Sequence, residues 1–342
     1  INNGLNWKPI FENMPSLGIG DIALASSNTE IIYVATGENL KKARNFTMPG
    51  TGVYRSNNGG DTWEHIGLND TWHIGEIVVH PNNPDIVLVA AQGHFWSSNE
   101  NRGIFRTDDG GKSWNHVLFI DENTGANDIV FSRANPKIVY ATTWENYPNV
   151  NGKKSAVYKS EDAGLIWNKI TNGVTINKNT GRIGIAASYQ DKDKAYIFID
   201  QRNQRNGQGT GEVYKTTNGG KNWKKTHKEN IKSLSVIGWY FMDMYVNPQN
   251  DEEIYGLGVR LIHSIDGGKT FKNIGGQITH LTPSPAQTLH LDHCEMWINP
   301  SNPKELLLGN DGGVYHSYDG GKSWLVTLMI NSLLILINIT GY

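Results

Sequence analysis

The sequence predicts an all-β fold, a β-propeller of four-stranded blades. Three observations predict it: an eight-residue turn phrase that recurs along the chain, a spacing of about fifty residues between copies, and the same β signals ahead of each copy. With 38 Gly, 14 Tyr and 11 Trp among 342 residues, the composition is that of a β-rich soluble chain with ample material for a core.

The phrase is S/T-x-D/N-x-G-x-x-W/F. It runs from Ser56 to Trp63, Thr107 to Trp114, Ser160 to Trp167, Thr216 to Trp223, Ser264 to Phe271 and Ser317 to Trp324, with a beheaded copy from Asn2 to Trp7. A short polar side chain and an Asx residue bond the backbone of a tight turn, and the glycine supplies positive φ at little steric cost, so each box reads as a hairpin turn. The aromatic residue that follows opens the next strand and offers a large apolar face to the neighbouring blade. One carboxylate per box is far from the oxygen cage that calcium needs, so the Asp is given a structural role.

From one box glycine to the next (Gly4, Gly60, Gly111, Gly164, Gly220, Gly268, Gly321) the intervals are 56, 51, 53, 56, 48 and 53 residues. Each interval holds an alternating run, a Pro/Asn turn and a second apolar run, as in Ile74 to Val79, His80 to Pro84 and Ile86 to Ala90. Gly103 to Arg106, a box, and Trp114 to Leu118 complete that unit. Four hairpin-linked strands, A to D from the axis outward, make one blade. Residues 1–324 hold six complete blades, and a surplus strand around Trp7 to Phe11 is expected to belong to a preceding blade or to close the ring, as in a fragment of a larger propeller. Residues 325–342 form an atypical apolar tail, expected either as an outer strand with a truncated next blade or as a spurious gene end. Asn331, Ser332 and Asn338 interrupt the tail and make it a poor membrane span.

A formal charge of -2 with no basic block excludes nucleic acid as the main partner, and nothing favours a membrane surface. The single cysteine, Cys294, excludes an internal disulfide. No signal peptide is visible.

Chain direction sorts the loops onto two faces. The A–B turns and the boxes share one; the B–C and D–A connections share the other. B–C insertions occur in blades 1 to 4 and D–A loops lengthen toward blade 6, so this second face is walled on one side and overhung on the other, forming a cleft. Trp72, Trp96, Trp144 and Trp239 fall there, as stacking platforms for a ligand or as wedges between loops. Glu38, His73, Gln92, His94, Glu145, Asp200, Arg202, His290, Asp292, His293 and Asp311 also fall there without repeating from blade to blade. Glycosidic hydrolysis uses two carboxyl groups across a cleft, which makes Asp311, Asp292, Glu38 and Glu145 the catalytic candidates. The substrate-binding candidates are Trp72, His73, His94, Trp96, Trp144, Asp200, Trp239, His290 and His293. His290-Leu-Asp292-His293 is the densest set of metal-ligand types, but no second cluster of fixed spacing accompanies it; a loop anchor is favoured, and no metal or cofactor is assigned. At one inner-strand position stand Asp21, Glu76, Asp128, Gly184, Asp243 and Glu295, expected to line the axis in a structural role.

The boxes resemble Asp-boxes, or bacterial neuraminidase repeats, found in sialidases, two-propeller xyloglucan-cleaving hydrolases and the luminal propeller of Vps10/sortilin receptors. HIGEIVVHPNNPDIVLVAAQGHFW and LGNDGGVYHSYDGGKSW resemble large bacterial proteins labelled glycosyl hydrolase or sortilin-like. The resemblance covers residues 1–324. The Arg-Ile-Pro stretch of sialidases is absent. Asn310-Asp311-Gly-Gly is similar to the Asp setting of the xyloglucan enzymes, whereas Gly37-Glu38 stands at the corresponding end of the first blade; one cysteine cannot provide the cysteine-rich module of a sortilin receptor. The resemblance implies an exported protein, secreted or in the cell envelope, with one of two functions. The first is a carbohydrate-active propeller that binds a glycan, with or without hydrolysing it; the alternative is a peptide- or protein-binding propeller without catalysis.

Overall fold

The computed structural model describes residues 7–39, 47–202, 209–229, 231, 242–275 and 289–329. Among them the chain forms six antiparallel sheets of four strands, each sheet in sequential order, set in a ring as the blades of a β-propeller. The inner strands are Ile19–Leu24, Ile74–Val79, Thr124–Phe131, Thr180–Ala187, Asp243–Asn247 and His293–Ile298. Helical structure among the described residues is one 3-10 turn, Asn69–Thr71.

Second strands such as Val87–Ala91 are buried along their whole length, because both sheet faces meet a neighbouring blade. The A–B turns follow from their Asn residues: Asn83 Oδ1 accepts the Asp85 N–H at 3.0 Å, and the His80 N–H reaches the Ile86 carbonyl at 2.9 Å. Leu325–Met329 pairs with Gly313–Ser317 as the outer strand of blade 6, as the start of the apolar tail was expected to do; the rest of the tail lies outside the described residues.

The surplus strand expected at Trp7 to Phe11 is not formed. Residues 7–11 belong to no strand, and Ile10 and Phe11 serve instead as a prop for blade 1: the Ile10 carbonyl accepts the Trp63 indole N–H at 2.7 Å, and Phe11 meets Tyr54 and Trp63 edge-on at 5.4 and 5.0 Å.

Each box closes in the same way. The Ser317 hydroxyl accepts the Gly321 N–H at 2.8 Å and donates to Asp319 Oδ1 at 2.9 Å, and Asp319 Oδ1 accepts the Ser323 N–H at 2.9 Å. Ser56, Thr107, Ser160, Thr216 and Ser264 accept the equivalent glycine N–H at 2.8 to 3.0 Å. Since the Gly321 N–H is buried, Ser317→Ala leaves it without an acceptor and is expected to cost about 1–2 kcal/mol in urea denaturation. Ser317→Thr, the residue found in the boxes of blades 2 and 4, is expected to be neutral; equal losses in both variants would remove the hydroxyl from the account.

The box glycine is also a slot for the preceding blade. A Cβ on Gly60 would stand 2.7 Å from Ile10 Cδ1, and on Gly321 2.9 Å from Ile274 Cδ1; Gly111 lies against Ile66, and Gly220 and Gly268 meet Ile170 and Thr226. Ile10, Ile66, Ile170, Thr226 and Ile274 each stand three residues after the aromatic of the box before. Gly164 is the exception and meets Leu88. The aromatic itself joins the seam: Trp114 donates its indole N–H to the Ile66 carbonyl at 2.7 Å, and Trp223 is 1% exposed in a cluster with Tyr140, Val157 and Ile170 of blade 3.

The acidic inner-strand positions converge on the axis. Glu76, Asp128, Asp243 and Glu295 line a central cavity of about 210 Å³. Asp21 accepts the N–H of Ile77 in blade 2 at 2.7 Å and Asp128 that of Ile185 in blade 4 at 2.8 Å, so these carboxyls link successive blades. Blade 4, with Gly184 at the shared position, contributes Arg182, whose Nη2 lies 3.5 Å from Asp243 Oδ1. Burial pushes all five carboxyls up, with their neighbours' negative charge adding to it at Asp21, Glu76, Asp128 and Glu295; Asp128 is raised to about 7.

Candidate functional site

The B–C and D–A connections emerge together on one face. The long B–C loops are residues 37–52, 92–102 and 146–155 of blades 1 to 3, against the two-residue turn 311–312 of blade 6. Most of the candidate site residues within the described chain fall into two groups, on blades 2 and 6, with blade 1 between them.

On blade 2 the two loops are riveted by a double aromatic layer. In the lower layer His73, 1% exposed, stacks on Phe95 at 4.1 Å and 5°, and its Nδ1–H donates to the Glu38 carbonyl at 2.8 Å. Burial lowers this imidazole to about 4, so it is neutral. In the upper layer His94 stacks on Trp72 at 3.9 Å and 22°, and its Nε2–H donates to the Asp70 carbonyl at 2.9 Å. Trp72 is 41% exposed and Trp96, two residues beyond His94, 46%.

The backbone at Trp72 is strained. Its φ of 56° and ψ of -48°, with the His73 N–H on the Thr71 carbonyl at 2.6 Å, define a γ-turn of positive φ, a rare conformation for a bulky side chain. The Gly50 N–H grips the Trp72 carbonyl at 2.6 Å, and only glycine at position 37 leaves room for that oxygen. The turn holds the indole up on the rim, where burial alone would not place it.

Arg102 fixes the other half. Fully buried, it donates to the carbonyls of Gln92 at 2.6 Å and Ser97 at 3.1 Å, to the His94 carbonyl, and to Asn146 Oδ1 of blade 3. Burial lowers its guanidinium to about 10. One cation thereby ties the whole 92–102 loop to its neighbour.

On blade 6 Asp292 occupies the left-handed region at φ 66°, with its N–H on the Val259 carbonyl at 3.1 Å. Its half-buried carboxyl stands near Asp311, the other candidate acid of this blade. Burial raises Asp292 and the nearby His290 lowers it. His290 Nδ1 meets the Leu291 carbonyl at 3.0 Å. His293 points away into the blade 5–6 seam, 1% exposed beside Gly275, and burial lowers it to about 3.

The remaining candidates have other surroundings. Glu38 Oε2 accepts the Thr47 hydroxyl and the Met48 N–H, both at 3.0 Å, and Glu145 Oε2 accepts the Lys154 N–H at 2.9 Å, so each carboxylate closes its own B–C loop. Trp144 is fully buried with its indole N–H on the Val150 carbonyl at 2.9 Å: it is a wedge, and no ligand can stack on it there. Asp200 is buried against Gly181. Trp239 lies outside the described residues. Among the described residues no group of three or more His, Cys, Asp or Glu could hold a metal ion, and no helix is long and apolar enough to cross a membrane.

Comparison with known proteins adds a family. The Sortilin-Vps10 family, described as "Sortilin, neurotensin receptor 3", matches residues 51–255, more than half of the chain. The chain belongs to the Sortilin-Vps10 family. No curated protein matches it. This Sortilin-Vps10 chain is similar in fold to the GH74 xyloglucanase of Xanthomonas campestris (TM-score 0.60, 18% identity, covering 94% of this chain and 47% of that one). The GH74 enzyme of Niastella koreensis is also similar (0.54, 14%, 90% and 58%), as is YCF48 from Cyanidioschyzon merolae (0.55, 15%, 91% and 85%). The chain thus spans about half the length of the GH74 enzymes it matches. In this Sortilin-Vps10 propeller, sequence reasoning missed Arg102. Its partners are mostly backbone carbonyls, which leave no side-chain pattern to find; a lone Arg at the foot of an insertion was the available signal.

Proposed function

We propose that this Sortilin-Vps10 propeller is an exported carbohydrate-binding protein whose glycan lies across the B–C/D–A face, stacking on Trp72 and Trp96. The observation that carries this reading is the strained γ-turn at Trp72, which keeps a large indole exposed on a rigid base. Aromatic platforms of this kind suit the apolar face of a sugar ring. The GH74 neighbours, one of them a xyloglucanase, point to a glucan-type ligand.

Binding is favoured over cleavage by the state of the carboxylates. Glu38 and Glu145 are spent on their loops, and the two remaining candidates, Asp292 and Asp311, both stand on blade 6 and not on opposite walls of the cleft. If turnover occurs, Asp311 and Asp292 are the residues to carry it, and Asp311→Asn is expected to abolish it.

A second reading, a peptide ligand on the same rim, is favoured by the family itself and by YCF48, which is known bound to a D1 peptide. A glycan array followed by calorimetry decides between them. Trp72→Ala is expected to weaken glycan binding at least tenfold, a loss of about 1.4 kcal/mol or more, with an unchanged melting temperature. Undiminished glycan affinity in that variant sinks the platform, and binding of peptides with no glycan turns the assignment to the second reading.

A further inference from the structure

We infer that His94 is a positioning residue that backs Trp72, leaving one face of the indole open so that the rim takes a flat, uncharged pyranose by one-sided stacking. The inference rests on the carbohydrate reading for its ligand and on geometry alone for the role of His94.

An exposed indole on a strained turn has two ways to relieve its contact with water. It can rotate down over the neighbouring loop, or it can be held against a flat partner. Here the partner is the His94 ring at 3.9 Å, inclined by 22°, which covers one face of Trp72. His94 is fixed from three sides. Its Nε2–H is on the Asp70 carbonyl at 2.9 Å, its own carbonyl accepts from Arg102, and the next residue, Phe95, is fully buried on His73. The sequence order therefore alternates: His94 faces up to Trp72, Phe95 faces down to His73, and Trp96 comes up again at 46% exposure. Positions 72 and 73 alternate in step, one up and one down.

This arrangement excludes a sandwich in which a ligand slips between two aromatic faces, because the inner face of Trp72 is already taken. A ligand meets the outer face only. That selects a group with one broad apolar side and polar edges, as a pyranose with mainly equatorial hydroxyls has. A bulky branched aliphatic side chain, which gains from being enclosed on all sides, fits an open single face poorly.

The role is separable from simple structural support because two features of His94, its flat ring and its hydrogen bond, can be removed one at a time. His94→Phe keeps a ring for the stack and loses the bond to Asp70; His94→Gln keeps a polar group that can reach Asp70 and loses the stack. Binding of cellohexaose and of a xyloglucan oligosaccharide is measured by calorimetry for wild type, His94→Ala, His94→Phe and His94→Gln. The mobility of Trp72 is measured without ligand, as the part of the tryptophan fluorescence anisotropy decay removed by Trp72→Phe. His94→Ala and His94→Gln are expected to bind about five- to tenfold more weakly and to free Trp72 on the nanosecond scale, while His94→Phe stays within about twofold of wild type with Trp72 rigid. Equal binding and equal rigidity in His94→Ala overturn the inference, as does rescue by Gln and not by Phe. If wild type binds neither glycan while the anisotropy follows the expected order, the carbohydrate reading fails and the positioning role stands.

Discussion

Trp223→Ala is expected to destabilise the propeller more than the same change at any other box aromatic, by about 3–5 kcal/mol, read as a shift in the denaturation midpoint at constant slope. All the box aromatics were expected to pack between blades, and the structure grades them. Trp223 is 1% exposed, meets Tyr140 of blade 3 edge-on at 6.3 Å, and is surrounded by Val157, Ile170 and Ile183. Its backbone N–H also bonds the Asn172 carbonyl at 3.1 Å, which fixes the ring at the seam. Trp63 and Trp114 are only partly buried, and water can reach the space they would vacate, so their removal is expected to cost less. A midpoint for Trp223→Ala no lower than that of Trp63→Ala would show that seams do not depend on the depth of the ring.

Asp128→Asn is expected to flatten the loss of stability between pH 5 and pH 8. The wild-type carboxyl is raised to about 7 by burial and by the neighbouring Asp243. In the unfolded chain it would titrate near 3.9. Between those values the folded state holds a proton that the unfolded state has released, so the contribution is fully present below about pH 4 and is lost as pH rises through 7. Taken alone, a shift of that size corresponds to about 4 kcal/mol, shared in practice with the other axial carboxyls. His73 and His293, lowered to about 4 and about 3, act in the opposite sense: their contribution is present above the unfolded value near 6.5 and is lost as pH falls through their folded values. Asparagine keeps an oxygen for the Ile185 N–H while carrying no charge. Urea titrations at both pH values are expected to show a difference about 1–3 kcal/mol smaller in Asp128→Asn than in wild type. An identical pH dependence would mean that the axial carboxyls are already ionised in the folded protein.

The fold was legible because its signals are local and repeated. A serine, an Asx residue, a glycine and an aromatic at fixed spacing specify a turn and its anchor without reference to anything distant, and six copies give the ring. The face that carries the loops was also legible, since strand order decides it. Side-chain fate within those loops was not. Trp144 and Trp72 look alike in sequence; one lies along the end of a strand and is covered, the other is lifted by a γ-turn that depends on Gly37 and Gly50 of another loop. Glu38 and Glu145 read as free carboxylates because the N–H groups they accept lie nine or ten residues ahead, at a return point that only the folded loop defines. Asp292 and Asp311 were both selected as acids, and the short turn of blade 6 puts them on the same blade.

The joint between box glycine and preceding blade has a consequence for how such a chain can change. Except at the joint between blades 2 and 3, where Gly164 meets Leu88, each box is a socket for a plug three residues past the preceding aromatic, and in a unit that carries both the two belong to opposite seams of the same blade. Duplicating one unit therefore adds one socket and one plug in a single step, and both flanking seams remain matched. Deleting a unit is equally neutral to its neighbours. Blade number in a lineage built on this joint can drift by whole repeats, while the loops on the far face diverge without touching the hardware that holds the ring together.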